Sequence, residues 1–287
     1  METVIGLGTA GCAIAREFCQ YPQYEVYTID TKPASDTTPD ARHLQIPTQT
    51  SHESYEANCP PLGDFFKNID TPCLFVLGGG GNVSGASLKL LQELSNRNTP
   101  VSILYIHPDD ENLQGETKLH HSLVFGVLQE YTRSGIFEQL FVVQNAKIEE
   151  ILEDLPVIGY FKKINNFIVS AFHMVNIFTN TDSEFDTFRA TDTAARICTL
   201  GVVDVETMEG KLFFDLKKPR EKRYYFGISR SELETDGTLL KKIKENLKKK
   251  LDGLTKVSYG IYSTSYEANY GYCIHNSSMI QTEGEDR

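Results

Sequence analysis

The chain has 287 residues, and its 28 Lys and Arg residues against 39 Asp and Glu residues give a formal net charge of −11. This charge argues against a protein that binds nucleic acid through an extended basic surface. With 40% hydrophobic and 23% charged residues, the composition is that of a folded globular protein and excludes disordered and collagen-like chains.

The sequence contains no segment that predicts export or membrane insertion. No run approaches the ~20 apolar residues of a membrane-spanning helix, and the opening Met1-Glu2-Thr3 lacks the basic stretch of a signal peptide. Six scattered cysteines without a C-x-x-C pair favour reduced thiols over disulfides or a metal site. We therefore expect a cytoplasmic protein without membrane or nucleic-acid partners and without a metal site built from its side chains.

A glycine-rich turn follows the first predicted strand. Thr3-Val4-Ile5 predicts a short strand and residues 12–18 predict a helix, with Gly-Leu-Gly-Thr-Ala-Gly between them at 6–11. Glycines let the backbone approach a phosphate, which the free N–H groups of a helix N-terminus attract. The turn also fits the G-x-G-x-x-G of dinucleotide-binding folds, with Asp30 placed to bind a ribose. Tight packing alone would also explain a lone glycine turn.

A second glycine-rich turn argues against a simple dinucleotide-binding fold. The apolar strand predicted at 73–77 is followed by Gly-Gly-Gly-Gly-Asn-Val-Ser-Gly-Ala-Ser at 78–87 and then by leucines at helical spacing. A dinucleotide fold uses one such turn, and a Walker P-loop ends in Gly-Lys-Ser or Gly-Lys-Thr. Because parallel strands end at the same sheet edge, the two turns together predict a phosphate site at that edge.

Residues 79–86 resemble the signature loop G-G-G-T-G-[ST]-G-[AS] of the tubulin/FtsZ superfamily, with Asn82 and Val83 in place of Thr and Gly. Gly8 to Cys12 are similar to the opening loop of that family, and Asp30 falls at its second loop. The resemblance implies GTP or GDP with Mg²⁺ as the bound cofactor. The residues that it assigns to the nucleotide in these loops are Gly8, Thr9, Ala10, Gly11, Cys12, Asp30, Gly79, Gly80, Gly81, Asn82, Val83, Ser84 and Gly85.

The resemblance also implies the domain organisation of an α/β protein. We expect a doubly wound parallel-sheet GTPase domain at residues 1–157, a long central helix at 158–179 and a smaller α/β activation domain at 180–280. Two asparagines match the guanine contacts of the family: Asn145, after a predicted strand, and Asn166 on the central helix, with Asn165 one step off. An amide suits this task because it both donates and accepts, although a helix cap or a surface position would also explain each Asn.

An acidic loop is expected after the central helix, where the family has residues that act on the nucleotide of the next subunit. Three acids are available for catalysis, Asp182, Glu184 and Asp186, but the N-x-D-x-x-D or N-x-D-x-x-E spacing of the family is not reproduced. The alignment puts Glu184 on the first acid and Thr187 on the second, so Asp186 would compensate from a neighbouring position. A solvated acidic turn is the alternative.

Two further segments bear on the site. The glycine-rich third loop of the family should lie between Gln45 and Pro61, where the sequence has no glycine, so Thr and Ser hydroxyls are the candidate phosphate donors there. His120 and His121 are adjacent in a predicted helix and would point apart, so we expect surface or partly buried histidines and not metal ligands.

The last third of the chain predicts strands around one lysine-rich helix. Leu239, Leu240, Ile243, Leu247 and Leu251 form its apolar stripe, and its lysines are expected to be solvated. Residues 281–287 form a short acidic tail. The compact length and this tail are most similar to the phage tubulins, the PhuZ group, in which such a tail contacts a neighbouring subunit.

Taken together, these features predict a GTPase that polymerises head-to-tail into cytoskeletal filaments and positions or segregates cargo in a bacterial cell. A heterologous contact of this kind propagates and does not close a dimer. Two alternatives stay open. One is an NAD(P)-dependent oxidoreductase that uses Gly6, Gly8, Gly11 and Asp30, and the other is a non-hydrolysing nucleotide-binding member of the superfamily.

Overall fold

The computed structural model describes residues 3–34, 40–109, 113–249 and 253–282. Contacts between Cα atoms divide the chain into two compact units, Met1–Val169 and Ser170–Arg287. The division falls inside one long helix, so each unit is described by itself below.

The first unit is built on six parallel strands whose order reverses at one point. The order is β3-β2-β1-β4-β5-β6, so β1 lies between β2 and β4. The strands are β1 (Thr3–Leu7), β2 (Glu25–Asp30), β3 (Arg42–Gln45), β4 (Cys73–Gly78), β5 (Val101–His107) and β6 (Leu140–Gln144). Open sheets of this kind bind ligands where the strand order reverses, outside the carboxyl ends of the strands. That point lies after β1 and β4.

Among the described residues a helix follows each of these strands except β2, which confirms the predicted doubly wound α/β class. They are α1 (Gly8–Glu17), α2 (His52–Ala57), α3 (Ser87–Ser95), α4 (Gly115–Arg133) and α5 (Asn145–Leu152), with short 3₁₀ turns at Phe18–Gln20 and Asn82–Ala86. Every residue of β1 and of β5 is buried, as expected for central strands covered on both faces. The predicted central helix is α6 (Tyr160–Thr179).

The second unit contains a mixed sheet in the order β8-β12-β10-β11-β7, with β9 beside β8. Only β10 and β11 are paired in parallel among these described strands. The elements are β7 (Phe185–Asp186), β8 (Ile197–Val203), β9 (Gly210–Leu212), β10 (Glu221–Ser229), β11 (Lys256–Thr264), β12 (Tyr270–Ser277), α7 (Arg230–Thr235) and α8 (Leu239–Lys249).

The lysine-rich helix α8 covers this sheet as its apolar spacing predicts. Leu239, Ile243 and Leu247 are buried in one cluster with Phe226 and Ile261 of the sheet. The lysines of its described residues are exposed, whereas Leu251, the last residue of the predicted stripe, lies outside the described residues.

The remaining sequence expectations concern thiols and membranes. None of the six cysteines forms a disulfide bond, and burial raises the pKa of Cys73 and of Cys273 to about 12, so both thiols stay protonated at neutral pH. None of the helices in the described ranges is both long and apolar enough to cross a membrane.

Candidate functional site

The first glycine loop joins β1 directly to α1. Gly8 starts the helix with φ of +68°, and Thr9 and Ala10 in its first turn are exposed. The first N–H groups of a helix have no partner within it, so they are available to an anion. Packing also restricts this loop, because a Cβ on Gly11 would overlap the carbonyl oxygen of Val76 in β4.

The second glycine loop combines packed and open positions. A Cβ on Gly79 would collide with the Tyr105 hydroxyl and the His121 ring, and one on Gly85 with the carbonyl oxygen of His52. Gly80 has φ of +81°, whereas a Cβ on Gly81 would meet no atom within 4 Å. Gly79 and Gly85 are therefore needed for packing, and Gly81 leaves space for a ligand.

Inside this loop the predicted polar residues differ in accessibility. Ser84 is buried, and its hydroxyl donates to the carbonyl oxygen of Gly81 at 2.6 Å. Asn82 is exposed and Val83 is half-buried. Ser84 thus fixes the shape of the loop, and Asn82 is the side chain of the three that a ligand can reach.

The structure brings the two glycine loops together. A Cβ on Gly8 would lie 3.5 Å from the Cβ of Val83, and one on Gly78 would lie 3.1 Å from the Cβ of Ala10. Both loops follow the strands at which the sheet order reverses. The predicted phosphate cradle therefore consists of two adjoining backbone turns at the usual ligand position of such sheets.

Asp30 and Cys12 lie beneath the first loop. Asp30 is 3% exposed, and its Oδ1 accepts from the backbone N–H of Thr31 at 2.7 Å. The Cys12 thiol donates to the carbonyl oxygens of Gly6 and Ile29, each at 3.3 Å, and burial and then the Asp30 charge raise its pKa to about 12. Cys12 therefore holds the loop in place with its side chain and offers a ligand only its backbone.

Lys32 is a cation at this site that the sequence patterns did not identify. Its Nζ donates to the Thr9 hydroxyl at 3.4 Å, so an ammonium group lies beside the first turn of α1. A lysine near exposed backbone N–H groups adds to their attraction for phosphate. The available signal was its position, two residues after the strand that ends at Asp30.

Asn145 begins α5 directly after β6, at the same sheet edge as the glycine loops. Its Oδ1 is buried and has no hydrogen-bond partner among the described residues. Buried polar atoms nearly always have a partner, so this acceptor is available to a donor from water or from a ligand. Asn166 on α6 is exposed, and its Oδ1 accepts from the Gln20 side chain at 3.5 Å.

The region of the expected third loop forms helix α2 instead of a glycine turn. Ser51 caps this helix, its hydroxyl accepting from the backbone N–H of Ser54 at 3.2 Å. The helix begins at His52, on which Gly85 of the second glycine loop packs. The Ser51 hydroxyl is thus already bonded, and α2 supports the second loop from the side.

The acidic residues lie in the second unit, partly in a strand where we expected a loop. Phe185 and Asp186 form β7, because the N–H groups of Glu184 and Thr187 donate to carbonyl oxygens of β11, each at 2.9 Å. Asp182, Glu184 and Asp186 are all exposed. An aromatic residue therefore anchors the segment to the sheet and leaves its acids in solvent.

The three acids do not share one environment. Asp182 and Asp186 line a hollow of about 620 Å³ together with Arg223, whereas Glu184 lines another of about 430 Å³ together with Arg230. The Asp186 carboxylate accepts from the Ser183 hydroxyl and from the N–H of Phe188. Asp186 is thus bonded within its own turn, and Glu184 is separated from the two aspartates.

Comparison with solved structures identifies the fold. The chain is similar to an FtsZ dimer from M. jannaschii, with a TM-score of 0.67, 11% identity and coverage of 96% of this chain and 87% of that one. It is also similar to a GTPγS-form protofilament of TubZ from Bacillus thuringiensis serovar israelensis, with a TM-score of 0.71, 15% identity and coverage of 98% and 88%.

A GTPγS-bound protofilament of CetZ2 from Haloferax volcanii matches with a TM-score of 0.69 and 14% identity, over 96% of this chain and 92% of that one. No protein-family model and no curated protein sequence matches the chain. The resemblance to the tubulin/FtsZ superfamily is thus confirmed as a shared fold over nearly the whole chain, and the phage-tubulin subgroup stays a prediction.

Proposed function

We propose that this protein binds GTP at the two glycine loops and polymerises head-to-tail into a filament. The observation that carries the proposal is the contact between the two loops at the carboxyl ends of β1 and β4. Several proteins of the same fold were solved as protofilaments with GTPγS or GDP, which supports both parts of the proposal.

The residues present fit a purine nucleotide. The first-turn N–H groups of α1, the open backbone at Gly81 and the Lys32 ammonium group would hold phosphate oxygens. The unpartnered Oδ1 of Asn145 would accept from the base, and the exposed Asn166 is the second candidate contact. Mg²⁺, if it accompanies the nucleotide, would neutralise charge that develops during hydrolysis.

Hydrolysis would be completed by the acids of an adjacent subunit, as the superfamily resemblance implies. An exposed carboxylate can orient a water molecule or accept its proton as it attacks the γ-phosphate. Asp182, Glu184 and Asp186 are exposed in the second unit, and the glycine loops belong to the first. If the acids come from the adjacent subunit, GTP is hydrolysed only where two subunits are in contact, so hydrolysis is coupled to polymerisation.

The central experiment mixes two variants that are each inactive. Gly81→Asp places a negative charge where a Cβ meets no atom within 4 Å, so it should repel the phosphates without disturbing the fold. A triple variant, Asp182→Asn with Glu184→Gln and Asp186→Asn, keeps the nucleotide site but lacks the acids. If hydrolysis occurs between subunits, the mixture releases phosphate from GTP although neither variant does so alone.

Light scattering in the same cuvette measures polymer formation. The matched control for the triple variant is a double variant, Glu206→Gln with Glu209→Gln, which changes two exposed acids of the β8–β9 turn. Scattering with GTP but no phosphate release by the wild type would favour the non-hydrolysing alternative. Thermal stabilisation by NAD and not by GTP would contradict the proposal and favour the oxidoreductase. The predicted contact of the acidic tail falls on residues 283–287, which lie outside the described residues.

A further inference from the structure

We propose that Glu53, Glu116 and His120 form a binding site for a zinc ion or a similar divalent transition metal. The sequence favoured a plain surface histidine at 120, because His120 and His121 are adjacent in α4. The structure adds ligands that this pattern does not contain. Glu116 lies one turn before His120 on the same helix face, and Glu53 comes from α2.

Two of the separations among the three side chains match those around a tetrahedral zinc ion. The Nε2 of His120 is 3.3 Å from Oε1 of Glu116 and 3.4 Å from Oε1 of Glu53, and the three ligand atoms all lie within 4.8 Å of one another. Ligands that lie 2.0–2.1 Å from a tetrahedral zinc ion are about 3.3–3.4 Å apart. One imidazole and two carboxylates are also a ligand set that zinc accepts.

A second histidine next to the cluster orients the His120 ring. His52 is 7% exposed, and neither of its ring nitrogens has a hydrogen-bond partner in the described part of the chain. Its ring stacks on that of His120, with the centroids 4.2 Å apart and 19° between the planes. The stacking holds the His120 ring in position. Because the two ring planes are nearly parallel, an ion in the plane of the His120 ring cannot also lie in the plane of the His52 ring, so His52 orients the ligand and is not itself one.

Three protein ligands leave a fourth tetrahedral position for water. The side chains of Glu53 and Glu116 are 67% and 78% exposed and that of His120 is 14% exposed, so an ion can enter from solvent. The ion would join α2 to α4, and both helices contact the second glycine loop, through His52 at Gly85 and through His121 at Gly79. The predicted effect is a local cross-link beside that loop.

The test uses the full chain without nucleotide, so that it is independent of the proposed GTP site. Zn²⁺ is titrated by calorimetry, and Co²⁺ serves as a spectroscopic probe, because tetrahedral Co²⁺ has intense visible bands and thiolate ligands add a distinct charge-transfer band. We expect one ion per chain, a tetrahedral Co²⁺ spectrum without thiolate bands and a higher melting temperature with Zn²⁺.

His120→Ala and, separately, the exposed Glu116→Gln should weaken Zn²⁺ binding by at least about tenfold, since even outer-shell changes at metal sites cost roughly 10–100-fold. Glu130→Gln on the same helix is the control and should bind like the wild type. Unchanged Zn²⁺ affinity in both variants, thiolate ligation of Co²⁺ or no binding at all would overturn the site. The last result would leave His120 as the partner of two glutamates only. If the wild-type chain gives the tetrahedral Co²⁺ spectrum but does not bind GTP, the proposed function is contradicted and the metal site is not.

Discussion

In the glycine loops of the first unit the candidate ligand-binding groups are backbone N–H groups, whereas in residues 182–186 of the second unit they are exposed carboxylates. The loops are fixed by contacts that leave no room for a Cβ on Gly11, Gly79 or Gly85. The acids are held in place through the backbone of β7 and the Phe185 side chain, while their own carboxylates stay exposed. A preformed cradle and an exposed set of acids are what a site completed by a second molecule requires.

The largest effect is expected from one added methyl group in the first loop. Gly11→Ala places a Cβ against the Val76 carbonyl, a backbone atom that cannot move aside, so the free energy of unfolding should fall by about 3 kcal/mol. Gly81→Ala is the matched control, and it should change stability by less than about 0.5 kcal/mol because its Cβ meets open space.

Urea unfolding followed by circular dichroism measures both variants. The same pair also tests the site, because Gly81→Ala should still lower GTP affinity if phosphate lies against Gly81. Equal stability of Gly11→Ala and the wild type would show that the first loop is looser than its contacts indicate.

The acids can be ranked by single substitutions. Glu184→Gln removes an exposed carboxylate and should lower phosphate release about 100-fold, the smaller end of the range for a general base. Asp186→Asn should cost less than about tenfold, because Asp186 is already bonded to Ser183 and Phe188. Phosphate release at equal light scattering measures both. If Asp186→Asn loses more activity than Glu184→Gln, the carboxylate that orients the water is Asp186, in the hollow that it shares with Asp182.

A partly buried histidine of the second unit should make the stability depend on pH. Burial, and secondly the Lys222 charge, lower the pKa of His275 in β12 from 6.5 to about 4. The unfolded chain therefore binds a proton between about pH 6.5 and 4 that the folded chain does not, so stability falls as the pH falls through this window and levels off below it. Since His275 is partly exposed, we expect a loss of about 2 kcal/mol.

His275→Gln removes this titration, so the difference in urea midpoint between variant and wild type should change between pH 7 and pH 4. A constant difference across that range would mean that His275 titrates alike in both states. The Glu184→Gln variant serves as the control because its side chain is exposed.

The sequence predicted those features that depend on neighbours along the chain. The two glycine turns and the apolar stripe of α8 follow from local spacing, whereas the helix that begins near residue 160 was predicted from the resemblance to the tubulin/FtsZ superfamily. It did not predict that Glu53 reaches His120 or that Lys32 reaches Thr9, because residues far apart in the chain meet only after the sheet has formed. Strand β7 was missed for the same reason, since two residues acquire strand geometry only by pairing with β11.

The smallest effect is expected at Asn145, and it tests whether a single subunit contains all the groups that bind the nucleotide. Asn145→Ala removes the buried Oδ1 that has no partner among the described residues, so it should not lower stability. If that oxygen accepts from the base, GTP affinity should fall by roughly tenfold, the value of one hydrogen bond of about 1.4 kcal/mol. Isothermal titration below the polymerisation threshold measures this on single subunits, with Asn166→Ala as the comparison at the exposed candidate. If Asn145→Ala lowers GTP affinity only in the polymer, the base site also needs the neighbouring subunit. The glycine loops and Asn145 would then not form a complete nucleotide site in one subunit, and the contrast with the acidic segment would no longer hold.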